Sequence, residues 1–319
     1  GWGAGTWGTG TWGTPRTSGI ALELRHWSLA EHANNLLASP SRGGLFLWEE
    51  ATDTVAEVVS GAPTSIRSMF ITAERFVFAL GNSATTPMTV SWPDQDDITD
   101  WTPSAANTAN TRTLQSGSKL MAGTVLTDGV SLVWTDASLY LFQYTGSDFI
   151  YDSRLVGTNC GLAGPVAFTR VSGVAYWMSP HGLHVYAGAV LPIPNVEDVR
   201  AFVFRDMDAG QITKTWCLYD QQHQQVRWGY CSTGSTEPDK YVDVSLIDFV
   251  WTTGTLDRTT GAPFRASDAS SLMVDHSGYI YEHDVGLNDN GAALESYITY
   301  PLYDVARGEQ NVDIVGIVP

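Results

Sequence analysis

Apolar and polar positions along this chain alternate over short stretches divided by turn residues, and the alternation has an internal period. Four segments share a small residue, two variable positions, an aliphatic and an aromatic: Gly44–Trp48, Ser138–Phe142, Gly182–Tyr186 and Ser277–Tyr281. Each follows a turn (Ser-Pro-Ser-Arg-Gly, Thr-Asp-Ala, Ser-Pro-His, Asp-His), and each turn follows another apolar run: Leu36–Ala38, Val130–Trp134, Val174–Trp177 and Leu272–Val274. This is the composition and turn chemistry of β-hairpins. The intervals between them hold two further pairs, Phe76–Leu80 with Met88–Trp92 and Trp216–Tyr219 with Val226–Tyr230.

The hairpin aromatics then fall at 48, 92, 142, 186, 228 and 281, a repeat of about 42–53 residues. A four-stranded propeller blade takes roughly 40–50 residues. Such a blade is apolar on both faces and folds only when neighbours stack on it. The spacing therefore predicts an all-β chain, a β-propeller of about six four-stranded blades over residues 20–290. A Gly/Trp-rich arm (1–19) precedes it, and a closing strand or the start of a further β segment (291–319) follows. Asp97–Thr102 and Asp248–Gly254 are outer-strand candidates. Asn195–Phe204 reads as a short helix capped by Asn195, and Ser28–Glu31 has capping-box spacing, with a turn inside a blade as the equal alternative.

Composition sharpens this picture. The 319 residues include 12 Trp, 13 Tyr and 11 Phe within a 43% hydrophobic content, which excludes disorder. Lys+Arg 17 against Asp+Glu 34 gives a net charge of −17, which excludes a protein whose task is to grip nucleic-acid phosphates. No run of 18 apolar residues occurs, so no membrane-spanning helix is expected. The first residues lack the basic and apolar regions of a signal peptide. Gly1 and the strand-like ending at Pro319 predict the ordered part of a longer chain. Three cysteines make no disulfide framework and fit a reducing cytosol as the place of synthesis, although Cys217 and Cys231 are candidates to face each other across a hairpin.

Several motifs invite chemistry that their context does not support. Gly3–Gly8 matches GxGxxG but has neither the preceding strand nor the following helix that phosphate binding requires. A second copy at Gly8–Gly13 identifies it as low complexity. Trp2, Trp7 and Trp12 in this arm are anchors for a partner's groove, or part of an extra strand closing the propeller. Ser116–Lys119 has S-x-x-K spacing without the companion motifs and reads as a loop. Asp94, Asp96, Asp97 and Asp100 begin like a calcium loop but lack its central Gly and terminal Glu, so a solvated acidic turn is expected. His181 and His184, like His276 and His283, read as surface hairpin histidines, because no Cys/His set has zinc-ligand spacing. With no nucleophile elbow and no sialidase-type blade signature, no catalytic residue, cofactor or metal is expected.

The arm Gly1–Gly13, followed by Trp27–Leu29 and Leu36–Gly44, resembles the opening of virion proteins from tailed bacteriophages. Ser91–Trp101, Val156–Pro165 and Ala175–Gly182 are similar to the same proteins, the tail nozzle (head-stabilising, tail tubular) family, in patches over most of residues 1–290. The resemblance implies a structural propeller in a ring of six copies below the portal and adaptor, in the virion tail, with DNA passing as cargo. A DNA conduit profits from an acidic lining that repels phosphate. Asp94, Asp96, Asp97 and Asp100 are the first candidates for that lining. The cations, 14 Arg against 3 Lys, favour fixed bidentate pairs at subunit contacts. A tail-tip propeller that binds receptor glycans is the alternative.

Overall fold

The computed structural model describes residues 25–95, 97–146, 149–263 and 271–286, together with 288, 291 and 293. The chain divides into two units, residues 1–283 and 284–319, and the first carries every described strand. That unit is a six-bladed β-propeller in which each blade is an antiparallel sheet taken in chain order. Blade 1 comprises β1 (Trp27–His32), β2 (Asn35–Pro40), β3 (Phe46–Trp48) and β4 (Glu57–Val58). Blade 2 comprises β5 (Ser68–Ile71), β6 (Val77–Leu80), β7 (Thr89–Trp92) and β8 (Asn110–Thr113). Blade 3 is built from β9 (Leu120–Thr127), β10 (Val130–Thr135), β11 (Ser138–Tyr144) and β12 (Tyr151–Thr158). Blade 4 has β13 (Phe168–Val171), β14 (Val174–Ser179), β15 (Gly182–Tyr186) and β16 (Val190–Pro192). Blade 5 has β17 (Trp216–Asp220), β18 (Gln225–Tyr230), β19 (Lys240–Ser245) and β20 (Trp251–Thr255). Three strands of blade 6 lie among the described residues, β21 (Thr260–Pro263), β22 (Ser271–Val274) and β23 (Ile280–Glu282).

The period-2 geometry of a strand explains how each blade serves two neighbours. In β6, Val77 and Ala79 enter the core shared with blade 1, beside Leu37, Leu45 and Ile66. The alternating Phe78 and Leu80 enter the core shared with blade 3, beside Val133, Tyr140 and Phe142. Blade 3 repeats the device: Leu132, Trp134, Leu139 and Leu141 face blade 4, and Val133, Tyr140 and Phe142 face blade 2. Aromatic rings lock these interfaces. Phe78 stacks on Trp92 at 5.1 Å and meets Phe142 edge-on at 5.5 Å, and Trp134 of blade 3 stacks on Phe168 of blade 4 at 4.8 Å. First strands pack on first strands, β1 on β5, β5 on β9, β13 on β17 and β17 on β21, so they line the axis.

Five predicted hairpins are the second and third strands of their blades (β2/β3, β6/β7, β10/β11, β14/β15, β22/β23), but Trp216–Tyr219 with Val226–Tyr230 is the first and second (β17/β18). The slip has a packing cause. Trp216 lies flat across its partner Gly229, where a β-carbon would stand 2.2 Å from the indole, so this inner pair is as aromatic as an ordinary central hairpin. Asp248–Gly254 does lead into the outer strand β20, whereas Asp97–Thr102 belongs to the β7–β8 connection. There Trp101 turns inward to the core between blades 1 and 2, and its Nε1 donates to the Ile98 carbonyl at 2.6 Å. Ser28–Glu31 is strand β1, neither cap nor turn.

A helix, α1 (Glu197–Asp206), fills the crossing from blade 4 to blade 5 and buries Val199 and Val203. Its N-cap is Val196, and no side chain caps it. Asn195 is instead a left-handed turn residue (φ 58°) whose Nδ2 donates to the Phe249 carbonyl at 3.3 Å, tying the helix to blade 5. Cys160, Cys217 and Cys231 are free thiols. Cys217 is paired in register with Trp228, which keeps it from facing Cys231.

Candidate functional site

The residues that lead into the first strands converge at one end of the axis. His26 immediately precedes β1, Arg67 precedes β5 and Lys119 precedes β9. With Ser41, Leu120, Met121, Pro165 and Thr213 they line a cavity of about 30 Å³. Five successive blades contribute, because each chain passage from an outer strand to the next inner strand crosses the same end. Backbone hydrogen bonds fix the positions. The Ser41 N–H donates to the His26 carbonyl at 2.8 Å, the Arg42 N–H to the Ile66 carbonyl at 2.6 Å, and the Arg67 N–H to the Leu80 carbonyl at 2.8 Å.

Lys119 is held by its neighbour. The Asp136 carboxylate accepts the Ser118 N–H at 2.7 Å, the Lys119 N–H at 3.4 Å and the Ser118 hydroxyl. Burial opposes ionisation of Asp136, but the Ser118 hydrogen bonds and the Lys119 charge outweigh it and keep the carboxyl below its ordinary range. His26 differs from its surroundings. Both ring nitrogens are buried with no hydrogen-bond partner, and burial lowers its pKa to about 4. Arg67 and Lys119 each take part in another interaction. Among the described residues the lining contains no carboxylate, although the chain as a whole carries −17.

None of the residues singled out in the sequence for partner or channel contact builds this mouth. Trp2, Trp7 and Trp12 lie outside the described residues, as does Asp96. Asp94, Asp97 and Asp100 sit on the connection between the third and outermost strands of blade 2, where each accepts local hydrogen bonds. Asp94 takes the Thr108 hydroxyl at 2.5 Å and N–H at 2.7 Å, Asp97 the Thr99 hydroxyl at 2.7 Å, and Asp100 the Asn107 amide at 2.8 Å. The Thr108 and Thr99 bonds hold the first two carboxyls below their ordinary range. This connection joins the outer strands of the blade and not the first strands that line the axis. Ser116 is in the β8–β9 loop, its hydroxyl 2.6 Å from that of Ser138. His184 is not a surface residue: it stacks on Trp177 at 5.3 Å, bonds the Ser179 hydroxyl at 2.9 Å, and burial lowers its pKa to about 4.

The signal for the mouth was present but in another phase. Aligning blades by the residue before the first strand, instead of by the second hairpin, places His26, Arg67 and Lys119 in one column. A second hollow, of about 300 Å³, lies at the outer part of blades 1 and 2 and is lined by neutral groups, among them Thr64, Asn82, Ser91, Trp101 and Thr111.

No protein-family model and no curated protein matches the chain. Among solved structures, virginiamycin B lyase from Staphylococcus aureus is similar over 84% of this chain and 87% of its own, at 7% identity and a TM-score of 0.48. The computationally designed Ika8 protein is similar over 79% of this chain and 69% of its own, at 10% identity and a TM-score of 0.46.

Proposed function

We propose that this protein is a structural component of a tailed-bacteriophage virion, a propeller that assembles with copies of itself into a ring of the nozzle type around a passage for DNA. The observation that carries the reading beyond the sequence resemblance is a set of exposed apolar side chains away from the blade-to-blade cores. Around the crossing from blade 4 to blade 5, where Asn195 bonds the Phe249 carbonyl, Leu191 is 57% exposed, Phe202 49% and Val250 55%. Exposed apolar groups of this kind mark protein–protein contacts when they gather in one patch.

The segments that resemble nozzle proteins do architectural work in this fold. Trp92 and Trp177 are core residues, and Trp177 Nε1 donates to the Cys160 carbonyl at 2.7 Å, joining two of those segments. The axial cavity is too small to pass a duplex, so the passage belongs to the ring of copies, with the rim of each propeller facing it. Mass spectrometry of purified particles, with antibody labelling located by electron microscopy, tests the proposal: the chain should be a virion component at the tail. Its absence from particles overturns the reading.

The neutral hollow between blades 1 and 2, with its hydroxyl and amide groups, favours a second reading, a glycan-binding propeller at the tail tip. Saturable binding of host polysaccharide, lost on substitution of Asn82, would support that reading over the first.

A further inference from the structure

We propose that the axial mouth formed by His26, Arg67 and Lys119 binds a phosphate-class oxyanion and that His26 takes up a proton as the anion binds. The inference is independent of the virion reading, because it rests on the lining of this cavity and not on assembly.

Three observations point the same way. The first is sign. In a chain with twice as many acids as bases, the lining of this cavity holds Arg67, Lys119, a histidine and the Ser41 and Thr213 hydroxyls, with no carboxylate among the described residues. Clustered cations with low-dielectric walls focus a local field opposite to that of the whole protein. Each cation also takes part in another interaction, and a guanidinium carries five N–H donors and an ammonium three.

The second observation is His26 itself. A neutral imidazole has one donor and one acceptor, and here both are buried with nothing to bond. Buried polar groups without partners are rare in folded proteins, and each calls for an explanation. A protonated ring offers two N–H donors, and an oxyanion offers only acceptors, so the pair satisfies both nitrogens at once. The charged groups that share the lining with the ring are Arg67 and Lys119, at the entries to β5 and β9. Asp136 stands behind Lys119, and Arg25 and Arg42 flank the 26 and 41–43 segments. Burial disfavours the imidazolium. A bound anion reverses the balance, since opposite charge at this range favours the charged form.

The third is size. About 30 Å³ is roughly the scale of one or two small-probe positions. That admits the head of a tetrahedral oxyanion and excludes a base or a sugar ring.

Sulfate is the first probe, because its charge does not change over the pH range of interest, and inorganic phosphate is the second. Calorimetry of the whole chain in two buffers of different ionisation enthalpy should show net proton uptake on sulfate binding at pH 6. Affinity should rise severalfold between pH 7.5 and 5.5, and the His26 ring resonances should titrate about two pH units or more higher in saturating sulfate. His26→Gln should retain weaker binding and lose both the proton uptake and the pH dependence. Lys119→Met should lower affinity about tenfold or more with an unchanged melting profile. A 5′-phosphorylated dinucleotide that displaces sulfate identifies the terminal phosphate of an ester as the source, and failure to displace identifies the free ion. The proposal is overturned by the absence of saturable binding, by equal competition from chloride or acetate, or by proton uptake that persists in His26→Gln.

Discussion

Replacing Arg227 by Met should expose how much blade 5 depends on one buried ion pair. Arg227 on β18 sits across from Asp243 on β19, with Nε 2.9 Å from Oδ1 and Nη2 2.8 Å from Oδ2, and the guanidinium lies over the Tyr241 ring at 4.7 Å. The side chains are 17% and 3% exposed, so water cannot replace the arginine when it is removed. Burial raises the Asp243 pKa above its ordinary value, and the Arg227 hydrogen bonds and charge are what oppose that rise. Arg227→Met therefore strands a carboxylate in the core, a change that costs about 3–5 kcal/mol. At roughly 2–4 °C per kcal/mol, the melting temperature should fall by about 6–20 °C. Arg227→Met combined with Asp243→Leu removes both charges and should return to within about 1–2 kcal/mol of the parent.

The pH dependence supplies an independent sign. Without Arg227 the Asp243 pKa moves further up. A carboxyl whose folded pKa lies above its unfolded value binds its proton more readily when folded, so the variant regains stability as pH falls toward and through that value. Urea unfolding of the single variant, the double variant and the parent between pH 7.5 and 4.5 reads the difference directly. The deficit of Arg227→Met should be largest at pH 7.5 and shrink at pH 4.5. A double variant as unstable as the single one, or a deficit independent of pH, refutes the reasoning.

Other substitutions test the blade contacts. Phe78→Ala empties a site enclosed by Trp92, Phe142 and Tyr151 and should cost about 3–5 kcal/mol in chemical denaturation, whereas Phe78→Leu should cost markedly less. Gly229→Ala drives a methyl group into the Trp216 indole and should destabilise by about 1–3 kcal/mol, with a change in tryptophan fluorescence that Gly254→Ala, against Tyr241, does not produce. Burial pushes the His184 pKa down to about 4 in the folded chain, from about 6.5 for a solvated imidazole, so as pH falls below about 6.5 the unfolded chain takes up the proton first and stability is lost until about pH 4. The difference in unfolding free energy between His184→Phe and the parent should therefore shift in favour of the variant over that window, and a constant difference would contradict the assignment.

The fold was legible because its information is periodic. The hairpins that end in Trp48, Trp92, Phe142, Tyr186 and Tyr281 repeat at blade length, and alternation within β6, β10 and β11 divides side chains between two neighbouring blades. Reading failed where packing overrode local chemistry. Asn195 looks like a helix cap, but its amide is spent on Phe249, and the helix starts two residues later. Trp101 looks like an outer-strand aromatic, but it folds back into the core between blades 1 and 2. The axial mouth was harder to see. His26, Arg67 and Lys119 are distant in sequence, belong to no motif together, and meet only because every blade begins at the same end of the axis. The acids at 94, 97 and 100 drew attention as a cluster, yet their hydrogen bonds explain them as staples of their own loop.

The most direct test of the account is the mass of the purified protein in solution, measured by native mass spectrometry across a concentration series. Assembly through the exposed apolar residues at the crossing from blade 4 to blade 5 predicts a closed oligomer at a multiple of 34.6 kDa, six copies by the nozzle resemblance, and its dissociation to monomers in Leu191→Ser/Phe202→Ser. A protein that stays monomeric at every concentration, or an oligomer indifferent to those two substitutions, contradicts it.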